Sequence, residues 1–193
     1  MTTPKFLRFF IILLISIILS TPSILKAQSC PIVPFNASIN VHGTSNVHDW
    51  DMKATAVNGE LGLNGSKQIN TVLIKIDVKS LKSGNGIMDS KTYNAFDFKK
   101  NPYIVFQLTE MSQSKLSDND SEIILIGNLS FAGATRKISI KTIGKITKLG
   151  DYQLKGSVPL KMTDFKMKPP TAMLGIMKTG DVVTIKFDVT FKG

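Results

Sequence analysis

The chain has 193 residues, a formal charge of +10 and one cysteine. A single cysteine rules out an intramolecular disulfide, so stability has to come from a buried core. The positive charge is dispersed: Lys75, Lys79, Lys155, Lys161 and Lys186 each stand alone on the polar phase of an alternating run, and Arg136 is the only arginine after Arg8. Without a basic block and stacking aromatics the pattern argues against nucleic-acid binding, while leaving peripheral contact with an anionic membrane surface compatible with the charge.

Lys5 and Arg8 precede an apolar run from Phe9 to Leu19, and a polar break at Ser20, Thr21 and Pro22 leads to Ala27. Basic, apolar, then small is the order of a secretory signal. As a helix the run would reach roughly 16 Å, about half of a hydrocarbon core. Residues 1–27 therefore read as a cleaved signal peptide, which puts the mature protein in the periplasm or outside the cell. Residues 28–37 read as a flexible N-terminal segment and 38–193 as one folded domain. Cys30 raises the alternative of a lipoprotein acylated at that residue, although Ala27-Gln28-Ser29 fits such processing poorly.

Ser38 to Gly43 alternates as a first short strand, with Ile39 and Val41 on one side. After a turn at Thr44-Ser45-Asn46, Trp50, Met52, Ala54 and Ala56 share a face opposite Asp49, Asp51, Lys53 and Thr55. Small residues beside one Trp suggest a face that leaves room for something. Asn58-Gly59 and Asn64-Gly65 are turn formers that bracket Leu61 and Leu63. Ile69 to Lys79 places Val72, Ile74, Ile76 and Val78 inward. Ser83-Gly84-Asn85-Gly86 then breaks the strand, and Met88, Thr92 and Phe96 recur at helical spacing, predicting one short helix over 87–98 that Asn101-Pro102 stops.

The second half alternates almost throughout: Tyr103 to Met111 through Ile104, Phe106 and Leu108; Ser121 to Phe131 through Ile123, Leu125, Gly127 and Leu129; Arg136 to Ile146; and Tyr152 to Met162. The last strand sets Val183, Ile185, Phe187, Val189 and Phe191 against Thr184, Lys186, Asp188 and Thr190. Between these two strands lies an excursion carrying Met162, Met167, Met173 and Met177 beside Pro169, Pro170 and Gly175. Flexible apolar material of this kind suits either the mouth of an apolar cavity or a plug at the end of a core. About eight antiparallel strands with one capping helix predict an all-β fold, a barrel or a sandwich. A barrel of that size is either filled by its own side chains or holds one small ligand.

Catalytic signatures are absent. No Ser lies in a nucleophile elbow, Cys30 falls in the flexible N-terminus, and Gly84 and Gly86 lack the lysine of a phosphate loop. His42 and His48 stand near Asp49 and Asp51, but alternation sends Asp49 to the face opposite His48, so no metal site is expected.

Several stretches in order carry a family likeness: V-H-D-W at 47–50, Ser80-Leu81-Lys82-Ser83-Gly84, Met88-Asp89 followed by Phe96-Asp97-Phe98, Asn101 to Phe106, G-N-L-S-F-A-G-A-T-R-K at 127–137, and Lys168-Pro169-Pro170-Thr171 with Gly175. Together they resemble the YceI family of secreted lipid-binding proteins, and the V-H-D-W and P-P-T-A forms are similar to a subgroup seen in Bacteroidetes. The resemblance implies a lipocalin-like antiparallel barrel over 38–193 with a helix across one end and an isoprenoid or related amphipathic lipid inside. It implies no cofactor beyond such a polyisoprenoid or quinone-like ligand, and no catalytic residue.

On the inward phases, the expected lumen is Trp50, Met52, Ile74, Ile76, Phe106, Leu108, Phe131, Leu160 and Phe187, with Phe165, Met167, Met173 and Leu174 guarding its entrance. Two competing readings remain. One is a filled-core envelope module that binds partners or responds to stress. The other is an enzyme acting on a lipid, which would need Asp164, Lys166 or His48 deep in the lumen. Pairing of two copies through a strand edge is a further expectation.

Overall fold

The structure, a computed structural model, describes residues 35–113 and 115–193. The signal sequence, most of the N-terminal segment and Cys30 lie outside the described residues. Eleven strands form one antiparallel sheet: β1 (Phe35–Ser45), β2 (Trp50–Ala54), β3 (Val57–Leu63), β4 (Ile69–Asp77), β5 (Leu81–Lys82), β6 (Tyr103–Met111), β7 (Ser121–Phe131), β8 (Ala134–Ile146), β9 (Tyr152–Lys161), β10 (Thr171–Ala172) and β11 (Met177–Phe191). One helix, α1 (Gly86–Ala95), follows β5. The hydrogen-bonded order is β3-β4-β6-β7-β8-β9-β11-β1-β2-β5, with β10 pairing back onto β11.

The extra strands relative to the expected eight are β5 and β10, of two residues each, and β3, which takes in the stretch around Leu61 and Leu63 and runs through Asn58-Gly59, a pair expected to turn but found inside the ladder with β4. Around Thr55 and Ala56 the chain leaves β1, to which β2 is paired, and joins β4 as β3. That switch curls the sheet into a lipocalin-like barrel. The seam between the first residues of β1 and β3 is closed by side chains instead of a backbone ladder. There the Phe35 ring covers Gly59, where a Cβ would collide with it.

Long strands hold the wall. β11 pairs along its length with β1 on one side and β9 on the other, so its five alternating apolar residues all point inward. Two packed clusters result. One contains Leu61, Ile123, Tyr152, Leu154 and Phe191, with Leu116 from the loop after β6 folded over it. The other contains Met52, Val78, Phe96, Phe131, Phe165 and Met167 and lies under α1.

The helix differs from its predicted extent. Asn85 caps it by accepting from the Ile87 and Met88 amides at 3.0 and 3.2 Å. It ends at Ala95, because Asp97 takes a left-handed conformation (φ 48°), well before Pro102. Met88, Thr92 and Phe96 face the barrel as their spacing predicts.

Candidate functional site

Inside the barrel is a cavity of about 570 Å3, within the range of roughly 300–1,000 Å3 common for small-molecule sites. Its presence is written in the burial pattern. Residues at the two barrel ends, such as Phe191, Ile123 and Val78, are fully buried, yet Ile74, Phe106, Leu160, Ile185 and Phe187, equally inward and nearer the middle, are only half-buried. They touch both packed clusters and face open space between them.

Two glycines help to make that space. Gly156 stands directly opposite Phe187 across the β9–β11 ladder, and Gly127 lies diagonally from Phe106 across β6–β7. The edge of each ring comes so close to the neighbouring glycine that an added Cβ would overlap it, and would also press on the carbonyl oxygen of Gln107 or Lys141. The absence of a side chain at each glycine gives these rings room close to the wall, and both line the cavity.

The mouth is framed by three segments: the turn between β1 and β2, α1, and the β10–β11 region. The first and third are stapled by Asn46. Its side chain accepts from the Lys178 amide (2.8 Å) and donates to the Ile176 carbonyl (2.9 Å), while its own amide donates to the Lys178 carbonyl (3.1 Å). The helix is held from the outer side. Buried Asp89 accepts from the Ser83 amide and hydroxyl at 2.8 and 2.7 Å, and Tyr93 donates to the Leu81 carbonyl at 2.9 Å. The Tyr93 hydroxyl in turn accepts from Lys82 Nζ (2.7 Å) and raises the pKa of that ammonium.

The Met-rich excursion divides in two. Met162, Phe165 and Met167 are buried, Phe165 stacking on Phe131 at 4.0 Å between centroids, and a short 3-10 turn over 162–165 is clamped to β11 by Asp181. Asp181 accepts from the Thr163 amide (2.9 Å) and hydroxyl (2.6 Å), bonds that hold its pKa below the ordinary carboxylate range. Beyond Pro170 the chain turns outward. Met173 and Leu174 both take left-handed conformations at φ 50° and 54°, and Leu174 is fully exposed. Both halves of the expected alternative are therefore realised, a plug in the first part and a rim in the second.

Of the residues nominated from sequence, Trp50, Met52, Ile74, Ile76, Phe106, Phe131, Leu160, Met167, Met173 and Phe187 line the cavity. Three do not. Leu108 packs at the closed end, beside a shift of register between Leu108 and Glu110. Phe165 is not at the entrance but in the core, stacked on Phe131. Leu174 points away from the lumen, carried outward by its left-handed backbone.

The polar groups that lipid chemistry would require are also misplaced. Asp164 and Lys166 are exposed outside the cavity, and His48 reaches only its mouth, with Nδ1 on the Asp49 carbonyl at 2.7 Å. His42 instead meets Asp51 at 3.0 Å on the outer surface. Lining residues that were not nominated, such as Val41, Val183 and Ile185, follow from the same alternation. Lys91 and Lys178, on the rim, carried no sequence signal.

The chain matches the family model of the YceI-like domain over residues 27–191. It belongs to the YceI-like family. Among solved structures it is similar to BcnA of Burkholderia cenocepacia, with a TM-score of 0.66 and 16% identity over 80% of this chain and 95% of that one. A polyisoprenoid-binding domain from Saccharophagus degradans, implicated in plant cell wall breakdown, matches with a TM-score of 0.68 and 10% identity over 83% of this chain and 99% of that one. The YceI protein of Campylobacter jejuni gives 0.57 and 15% over 74% and 84%. No curated protein matches the chain. At these identities the solved structures speak to the fold, and the YceI-like barrel of this chain is the same one.

Proposed function

We propose that this YceI-like chain is an exported, non-catalytic binding protein that carries an isoprenoid-type or related amphipathic lipid in its barrel. The observation that carries the reading is the apolar hollow of about 570 Å3, whose deep wall bears no charged residue. Burying hydrocarbon there is favourable by ~0.8 kcal/mol per methylene, so each five-carbon unit contributes roughly 3 to 4 kcal/mol before ordering costs. Family membership and the polyisoprenoid-binding domain among its structural neighbours support the same ligand class. The filled-core module, by contrast, requires Phe106, Leu160 and Phe187 to meet neighbours across the centre, and they are only half-buried and line the cavity instead. Export rests on the sequence of residues 1–27 alone.

Organic extraction of the protein purified from its native host, followed by mass spectrometry, tests the reading. A lipid at close to one equivalent is expected. Protein that yields none, and whose delipidated form takes up no polyprenyl probe, would overturn it.

The rim favours exchange at a membrane surface. Val47, Ile87, Met173, Leu174 and Ile176 are exposed apolar side chains, all in the three segments that frame the mouth. Holding Met173 and Leu174 in left-handed conformations costs of order 1–3 kcal/mol each, and the result is an apolar tip in solvent. With Lys91 and Lys178 beside it, this tip complements an anionic bilayer. Replacing Leu174 and Ile176 together by Ser is expected to weaken co-sedimentation with anionic vesicles severalfold while changing stability by less than about 0.5 kcal/mol. Undiminished sedimentation would remove the membrane step.

A further inference from the structure

The cavity is polar only at its mouth. Every polar residue on its wall belongs to the end of β1 and the turn after it, to α1 and its cap, or to the β10–β11 region. Below them the wall is aliphatic and aromatic. A polar group in the middle of a bound chain would lose its water without gaining a partner, at a cost of about 1–3 kcal/mol. The polar part of any ligand is therefore confined to one end, at the rim.

The rim has a sign. Lys91 on α1 and Lys178 near the start of β11 are the charged residues on the cavity wall, and no Asp or Glu lines it. Among the described residues neither ammonium has a carboxylate within 4.0 Å. The acids carried by the same segments are engaged elsewhere. Asp89 is buried against Ser83 and lies 4.0 Å from Lys82, and Asp49 and Asp51 face His42. The backbone of Lys178 is also fixed on both sides by Asn46, so its side chain leaves from a held position. Two unpaired cations thus reach one apolar opening from separate elements.

We propose that the preferred ligand is an anionic amphiphile, an apolar chain ending in a carboxylate or phosphate, whose charged end is received by Lys91 and Lys178. This rests on the lipid-site reading above and narrows it, because a neutral alcohol or quinone of the same chain could accept a hydrogen bond from these ammoniums but would gain no charge pairing from them.

The test is competition against a neutral fluorescent probe, N-phenyl-1-naphthylamine, bound to the full delipidated protein. Competitors are two matched pairs below their micelle concentrations: geranylgeranyl phosphate with geranylgeraniol, and palmitate with hexadecanol. The anionic member of each pair is expected to displace the probe at a concentration roughly three- to tenfold lower, the scale of two solvent-exposed ion pairs. A preference in only one pair would assign the head as phosphate or as carboxylate. In the Lys91→Gln/Lys178→Gln double variant the preference should vanish while displacement by the alcohols is unchanged. Both lysines are exposed, and the variant's circular dichroism should match that of the parent. Equal displacement by anion and alcohol, or a preference that survives the double variant, would overturn the proposal and leave the lipid site standing. Failure of the probe and of all four competitors to bind would instead overturn the lipid site, and this proposal with it.

Discussion

The two ends of the barrel are closed by different means, although the same strands run through both. At one end the strands supply most of the filling themselves, helped by one loop residue. Phe191 is fully buried and stacks on Phe35 at 5.7 Å, Tyr152 reaches the Lys67 carbonyl, and Leu116 covers the rest. At the other end the wall strands do not meet, and two added pieces, α1 and the Met162–Ile176 excursion, are laid across the gap. Within β11 the contrast is four residues long: Phe191 is sealed in, while Phe187 is half-buried against the cavity. Filling by wall residues makes an end permanent. Filling by pieces held through a few hydrogen bonds, such as those of Asn46, Asp89 and Asp181, makes an end that can open while the ladder stays intact.

The largest effect that would expose this difference comes from truncating each phenylalanine in turn. Phe191→Ala should cost about 3–5 kcal/mol, since it leaves a void among fully packed neighbours. Phe187→Ala adds volume to a hollow that already exists, so it should cost distinctly less and should change which lipid chain lengths bind. Chemical denaturation of the two variants checks this. Equal losses would mean that the middle of the barrel is packed as tightly as its closed end.

A smaller effect is expected at the glycines. Gly156→Ala puts a methyl where the Phe187 ring now rests and against the Lys141 carbonyl oxygen, so the ring must move and the neighbouring β8 backbone must give with it. Overpacking of this kind costs typically 1–3 kcal/mol, and here it should be accompanied by loss of lipid capacity in the extraction assay. A stable Gly156→Ala variant with full capacity would show that the ring is not what sets the cavity's width.

Much of the wall was legible in the sequence because period-two alternation is a local signal. The inward sets of β4, β7 and β11 follow from it directly. The hollow was not legible, since the same alternation describes a filled barrel equally well. The distinguishing feature is where Gly127 and Gly156 fall relative to aromatic residues on adjacent strands, and that depends on register between segments far apart in sequence. Phe165 was misplaced for a similar reason: nothing in M-T-D-F indicates that a 3-10 turn returns its ring to the core. Leu174 and Met173 differ in fate although they are neighbours, because two successive left-handed residues reverse the chain there, a backbone choice that apolar side chains do not announce.

The smallest expected effect concerns pH and the clamp on the open end. Asp181 has its pKa lowered chiefly by the Thr163 hydroxyl, with the Thr163 amide adding to it, against a partial offset from burial. Asp151, at the closed end, is lowered chiefly by its hydrogen bond from Lys192. A carboxylate depressed in the folded state binds its proton more readily when unfolded. Its contribution to stability is therefore complete above the ordinary range near pH 4 and is lost as pH falls through the lower folded value. Both ends should lose stability in acid, but only Asp181 ties down a segment that covers the cavity. Asp181→Asn should reduce the acid dependence of the melting temperature below about pH 4 and speed exchange of the Lys166 and Met167 amides, which close the 162–165 turn at 3.0 and 3.1 Å. Asp151→Asn should reduce the acid dependence while leaving those two amides as slow as in the parent. If both substitutions speed them alike, the two ends unfold as one unit, and the independence of the open end from the rest of the wall is lost.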